Sequence, residues 1–247
     1  MLVSIIIPYF NDPKNIESSV KSVIAQSYSR LEIIIIDDEN SLNSKKILST
    51  ISKFDKRIKI FLTKKNRGVG IARNLGIKKS KGELIAFLDS DDFWKKNKLK
   101  KQIVEIKKRK LDICYTNFKA INYNKKFIYK VKSPKQMVYN DLLKGCPICC
   151  SSIIIKSSIL KKNQFSKLKT KEDYELWLRL SKKKFKFGGV NSYLTFYKLR
   201  KNSLSSKHIN KLINAFKIYN NFNNYGIIFS LFFTIRLYFN AFTKKFL

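Results

Sequence analysis

The sequence predicts an α/β protein: a mostly parallel central sheet in a nucleotide-binding half, with a smaller second lobe and C-terminal helices. Three observations carry this. Between residues 3 and 88, four short strand-like runs alternate with three segments of helical period. The first two runs are apolar at nearly every position, as strands covered by helices on both faces must be. Asp and Asn gather at or just past the ends of these runs, where open α/β sheets bind ligands.

Taken in order, Val3-Ser4-Ile5-Ile6-Ile7 is a β-branched run closed by Pro8. Asn11 or Asp12 can cap a helix with Pro13 in its first turn, and Ile16, Val20, Val23 and Ile24 recur at helical spacing. Leu31 to Ile36 forms a second buried strand that ends at Asp37-Asp38. A helix from Ser44 to Phe54, a strand from Ile58 to Leu62, a helix from Gly70 to Lys79 and a strand from Leu84 to Leu88 follow. That βαβαβαβ order implies parallel strands with right-handed crossovers. Beyond Asp92 the pattern loosens. A basic helix is expected over Lys95 to Arg109, with strands at Leu111 to Asn117, 127–131, 151–156 and Ser192 to Tyr197. Helices are expected at Glu172 to Ser181 and Lys207 to Asn220. Without a repeat or a convincing linker, residues 1–220 read as one domain in two halves, 1–92 and 93–220, followed by a tail of 221–247.

Charge narrows the function. The chain has 247 residues with 52 Lys+Arg against 17 Asp+Glu, a net of +35. A total this basic invites a nucleic-acid partner. Its distribution argues otherwise: residues 1–92 are nearly balanced, and no acid occurs from Leu176 to Leu247. Lys outnumbers Arg 44 to 8, which fits compositional drift as well as any partner. The few acids are bunched at Asp37-Asp38-Glu39, at Asp89, Asp91 and Asp92, and at Glu172, Asp173 and Glu175. Crowded carboxylates repel unless a cation joins them. No nucleic-acid motif is present, so no nucleic-acid partner is expected.

Four cysteines do not make a disulfide scaffold, and Cys146, Cys149 and Cys150 lack the second pair that a zinc site needs. The opening apolar run is too short for a signal peptide, so a cytoplasmic protein is expected. Residues 226–242 are almost wholly apolar. On a helix, Ile227, Ile228, Leu231, Phe232, Ile235, Tyr238, Phe239 and Phe242 share one face, with Ser230, Thr234, Arg236 and Asn240 toward the other. A helix lying in a membrane interface is expected, peripheral at the inner face of the cell membrane. Docking on the domain or on a second subunit is the alternative.

The Asp89-Ser90-Asp91-Asp92 cluster follows a strand and supplies hard oxygen ligands suited to Mg²⁺ or Mn²⁺ shared with a diphosphate. At this point the sequence resembles the inverting glycosyltransferases of family 2, of GT-A fold. The matching segments are Val3 to Asn11, Glu32 to Asp38, Asn66-Arg67-Gly68-Val69-Gly70-Ile71-Ala72-Arg73-Asn74, Gly82 to Trp94 and Glu172 to Arg179, in that order. The resemblance implies a nucleotide-sugar donor, a UDP-sugar above all, and a glycan or lipid-linked acceptor. It implies that Pro8 and Phe10 line the nucleoside pocket and that Asp38 reads the base. Arg73 would lie near the phosphates, and Asp89 and Asp91 would form the acidic motif. Asp91 and Asp92 would serve the metal. Asp173 would be the general base, with Glu172 positioning it. Where relatives often carry His after the last strand, this chain has Arg200, which can fork onto a diphosphate but cannot ligate a metal.

Overall fold

A computed structural model describes residues 1–64, 66–122, 124, 126–199, 208–222 and 225–243. The chain runs β1 (Val3–Tyr9), α1 (Ile16–Ile24), β2 (Leu31–Asp37), α2 (Leu42–Ser52), β3 (Ile58–Leu62), α3 (Val69–Lys79), β4 (Leu84–Phe87), β5 (Phe93–Trp94), α4 (Lys98–Arg109), β6 (Ile113–Ile121), β7 (Phe127–Val131) and β8 (Gln136–Met137). It continues with α5 (Tyr139–Lys144), β9 (Ile154–Lys156), α6 (Ser157–Lys162), α7 (Glu172–Lys182), β10 (Phe187–Lys198), α8 (His208–Lys217), a π-turn (Ile218–Phe222) and α9 (Ile227–Thr243).

One sheet spans the molecule in the order β3-β2-β1-β4-β9-β6-β10-β5, with β7 on β6 and β8 on β10. β1 to β4 are parallel, as are β6 and β10, whereas β9 runs against both of its neighbours. The pleat sorts the apolar runs into two cores. Ile6, Ile34, Ile36, Ile85 and Phe87 pack on α3, α6 and α7. Ile5, Ile7, Ile33, Ile35 and Ala86 pack on α1, α2 and α4. Both faces are covered, so both sets of alternate positions had to be apolar.

Several boundaries differ from the sequence expectation, each for a tertiary reason. α1 starts at Ile16 rather than near Pro13. Asp12 turns inward instead of capping it, accepting from Asn15 Nδ2 at 2.6 Å and Ser90 Oγ at 2.9 Å. The basic helix starts at Lys98 because Phe93 and Trp94 pair with Phe196 and Thr195. β10 begins five residues early and runs through Gly188-Gly189. A Cβ at Gly189 would lie 2.4 Å from the Pro134 carbonyl, so glycine permits the strand there instead of breaking it. Residues 150–152 form a 3₁₀ turn ahead of β9, and α8 stops at Lys217, where the π-turn begins. The short α5 and α6 carry too few residues for a helical period to declare itself.

One buried acid joins the strands at the end of the sheet opposite the carboxyl ends of β1, β2 and β4. Glu32 Oε1 accepts from Ser4 Oγ at 2.6 Å and from the Lys81 N–H at 2.7 Å, while Oε2 takes Lys59 Nζ at 2.8 Å. Burial opposes its ionisation. The bonds from Lys59, Ser4 and Lys81 outweigh burial, so the carboxyl sits below its usual value. A depressed carboxylate contributes stability above its unfolded pKa and loses it as pH falls through the folded value. Glu32→Gln is therefore expected to cost about 1–3 kcal/mol at pH 7 in chemical denaturation. The gap to wild type should close as the pH is taken below the normal range for Glu.

Candidate active site

The carboxyl ends of β1, β2 and β4 lie side by side, because those strands are parallel neighbours. Tyr9 and Phe10 leave β1, Asp37 and Asp38 leave β2, and Asp89 to Asp92 follow β4. Phe10 is 48% exposed and Pro8 is half-buried, while Tyr9 is buried, so Phe10 is the aromatic side chain that β1 opens to solvent at this edge.

Burial divides the acids. Asp37 Oδ1 accepts from the N–H groups of Glu39 and Asn40, and Oδ2 from Ser44 Oγ, which fixes the turn into α2. Asp38 Oδ1 accepts from Thr63 Oγ1 at 2.9 Å and the Arg67 N–H at 3.3 Å, and Oδ2 from the Gly68 N–H at 3.0 Å. It anchors the loop before α3, so any contact with a base would share an oxygen already holding that loop. Asp92 is wholly buried, with Oδ2 accepting from Ser151 Oγ at 2.5 Å and Oδ1 from the Lys198 N–H at 2.8 Å. Burial, then Asp91 and Asp89, hold its carboxyl well above the usual range. Asp92, expected from the resemblance to serve a metal, has both oxygens engaged here in joining the β4 end to β10 and to the 3₁₀ turn. Asp89 and Asp91 stay partly exposed.

Arg73 sits inside the same acidic cluster. The resemblance places it by the phosphates, and in the structure the residue is only 2% exposed. Nη2 donates to Asp89 Oδ1 and Nη1 to Glu172 Oε1, both at 2.6 Å. The Phe165 ring lies 5.3 Å away on its face. Phe165 is held in turn by Asn74, whose Nδ2 donates to the Phe165 carbonyl and whose Oδ1 accepts the Phe165 N–H. Close approach of α7 to α3 depends on Gly70, where a Cβ would sit 2.8 Å from the Ser166 carbonyl and 3.2 Å from Glu172 Cγ. One arginine thus ties the acidic end of β4 to the start of α7, across 99 residues of sequence.

Glu172 and Asp173 open α7, where carboxylates suit the helix dipole. Burial is the largest influence on Glu172 and lifts its carboxyl to about 7, with Arg73 pulling the other way. Burial also pushes half-buried Asp173 above the ordinary Asp value, against Arg73 and the Tyr174 N–H, which donates to Asp173 Oδ1 at 2.7 Å. Arg73 acts on Asp89, Glu172 and Asp173, with Lys171 adding to its effect on Asp173, and burial leaves Glu172 poised to take a proton near neutrality. Arg200 lies outside the described residues. Among the described residues, no group of three or more His, Cys, Asp or Glu side chains is set to hold a metal. Asp89 and Asp91 suit a more modest arrangement, in which two hard-oxygen donors share an ion with a diphosphate and water.

Residues 4–164 match the family model described as Glycosyl transferase family 2. The chain belongs to that family. TuaG of Bacillus subtilis, a glycosyltransferase provisionally assigned to teichuronic acid biosynthesis, is 36% identical over 83% of this chain and 82% of its own. An Escherichia coli relative, UDP-Glc:alpha-D-GlcNAc-diphosphoundecaprenol beta-1,3-glucosyltransferase WfgD, is 35% identical over 85% and 82%. Among solved structures, the mannosyltransferase PcManGT of Pyrobaculum calidifontis in complex with GDP-Man and Mn²⁺ superposes with a TM-score of 0.71. That likeness covers 94% of this chain and 69% of that one at 13% identity, and it shows the shared GT-A fold. The glycosyltransferase fold and family follow as the motifs implied. The Arg73 bridge, Ser151 and Phe165 escaped the sequence reading, since Asn74-to-Phe165 and Arg73-to-Glu172 pairing leaves no local pattern. Removing Arg73 strands buried carboxylates. Arg73→Met in this glycosyltransferase is expected to lose about 3–5 kcal/mol of stability at pH 8. The loss should be smaller at pH 5, where protonation relieves the unpaired acids; paired urea titrations at the two pH values read the difference.

Proposed function

We propose that this chain transfers a sugar, with inversion at the anomeric carbon, from a UDP-sugar to a hydroxyl of a lipid-linked glycan acceptor in cell-surface polysaccharide synthesis. The observation that carries the reading is the Asp173 carboxylate at the head of α7, tied through Glu172 and Arg73 to the acidic strand end at Asp89. That arrangement suits one displacement. The acceptor hydroxyl gives its proton to Asp173 as its oxygen attacks the anomeric carbon, and the nucleoside diphosphate departs from the opposite face. The sugar changes hands in one step, so no protein nucleophile takes part. A base lifted toward neutrality by burial is better matched to a hydroxyl than an exposed aspartate is.

In this reading Pro8 and Phe10 flank the nucleoside, and Asp38 holds the loop of 66–68 in place beside it. Glu172 and Arg73 keep Asp173 aimed. Asp89 and Asp91 would hold Mn²⁺ or Mg²⁺, which when bound would neutralise the departing diphosphate. The donor and acceptor rest on the name of WfgD, the polysaccharide context on that of TuaG, and the ion on the Mn²⁺ complex of PcManGT. A lipid-linked acceptor puts the reaction at a membrane, which we take to be its cytoplasmic face. Residues 1–220 are taken as one catalytic domain.

Turnover with a panel of UDP-sugars and GDP-mannose, against lipid diphosphate sugar acceptors, tests the proposal. Asp173→Asn should lower kcat by roughly 10²–10⁴ while leaving donor binding intact. Wild-type turnover by that variant, or turnover with the guanosine donor alone, overturns the assignment. The base works unprotonated, so kcat should rise with pH through the Asp173 pKa. Because burial raises that pKa, the acid limb of the profile should lie above the usual Asp range. Chelation should abolish turnover, and added Mn²⁺ or Mg²⁺ should restore it. Asp91→Ala should blunt the restoration far more than Asp92→Asn does.

A further inference from the structure

The last helix is packed the wrong way round for a water-soluble protein. On α9, the side facing the domain is made by Ser230, Phe233, Thr234 and Leu237, of which Ser230, Thr234 and Leu237 are buried. The polar atoms there cost little to bury. Ser230 Oγ donates to the Tyr225 carbonyl at 3.0 Å, and Thr234 Oγ1 donates to the Ser230 carbonyl at 2.7 Å. The outward side carries Ile227, Ile228, Leu231, Phe232, Ile235 and Phe239, between 49% and 81% exposed. At 100° per residue these six fall within an arc of roughly 140° along the whole helix. A continuous strip of that kind far exceeds the scattered apolar residues of an ordinary surface.

We propose that this strip lies in the headgroup region of an anionic lipid membrane, with the helix axis parallel to the surface. Length and charge select this occupant. Seventeen helical residues reach about 26 Å, and no helix among the described residues is long and apolar enough to cross a bilayer. From Leu176 to Leu247 the chain has 14 basic residues and no acid. Arg236 flanks the strip on α9 itself, and exposed Lys217 ends the preceding α8. Basic residues around an apolar helix face are attracted to anionic lipid, whereas a second copy would bring like charge against like.

The tail is also joined to the helix that carries the proposed base. Tyr219 Oη in the π-turn lies 2.7 Å from Tyr174 Oη, whose residue follows Asp173, and Tyr139 Oη lies 3.1 Å from Tyr225 Oη. The Phe233 ring stands 5.3 Å from that of Tyr219. A membrane under α9 therefore sets the height of α7 above the lipid. This last step rests on the proposed lipid-linked acceptor, but the membrane surface itself does not.

Sedimentation of the full chain with vesicles tests it, using one set of phosphatidylglycerol and phosphatidylethanolamine and another of phosphatidylcholine alone. Wild type should pellet with the anionic set and at least threefold less with the neutral one. The double variant Ile228→Glu/Phe232→Glu should lose at least tenfold of that binding. Both side chains point to solvent, so its thermal unfolding should match wild type. Equal binding by the variant, or wild type left in the supernatant, overturns the proposal. So does a dimer in size-exclusion chromatography that the double variant splits without changing vesicle binding. Transferase activity is not the readout, so failure here leaves the proposed reaction standing, and failure of that reaction leaves the surface standing.

Discussion

The guanidinium of Arg73 is the point on which the site depends. A buried cation is tolerable only when its donors are met by charge, and here Asp89 and Glu172 each accept at 2.6 Å. The same bond works in reverse for the acids. Without the arginine, Asp89 and Glu172 would lose the cation they both contact, and their repulsion with Asp173 would be left largely uncompensated. The Phe165 ring and the Asn74 clasp exclude water from one side of the guanidinium, which strengthens each contact. The bridge also spans the two halves of the molecule. It joins the end of β4 to the start of α7, so the acids at those two places are held relative to each other by one buried group.

Around that bridge, burial divides acids that look alike in sequence. Asp37, Asp38 and Asp92 face inward and bind backbone N–H groups and hydroxyls, which shapes the turns at three strand ends. Asp89, Asp91 and Asp173 keep some contact with solvent. The inward set holds the outward set in position. Chemistry that needs a diphosphate, a cation and a proton acceptor within one cleft depends on such a scaffold, because a loose carboxylate would not stay aimed.

The basic excess takes on a different meaning beside this structure. The nearly balanced first third is the part that frames the strand ends, while the acid-free part ends in a helix whose apolar side faces out. The packing of α9 is explained by small hydroxyl residues. Ser230 and Thr234 satisfy themselves on their own helix, which lets that side sit close to Tyr219 and Tyr225. Bulkier Ile and Phe side chains are left on the other side.

Much of this was legible in the residues themselves. The apolar runs at Val3, Leu31 and Leu84 announced parallel strands, and Asp38, Asp89 and Asp91 fell just past their ends, as the structure has them. Those signals are local, because strand pleat and helix period act over a few residues. The amphipathic character of 226–242 was equally plain, but which side would face the domain was not. Periodicity measures a contrast between faces; the partner decides which one is buried. The roles of Arg73 and Asp92 likewise awaited the tertiary structure. Whether a charge meets solvent or another charge depends on residues 99 and 106 positions away, and no spacing along the chain encodes that distance.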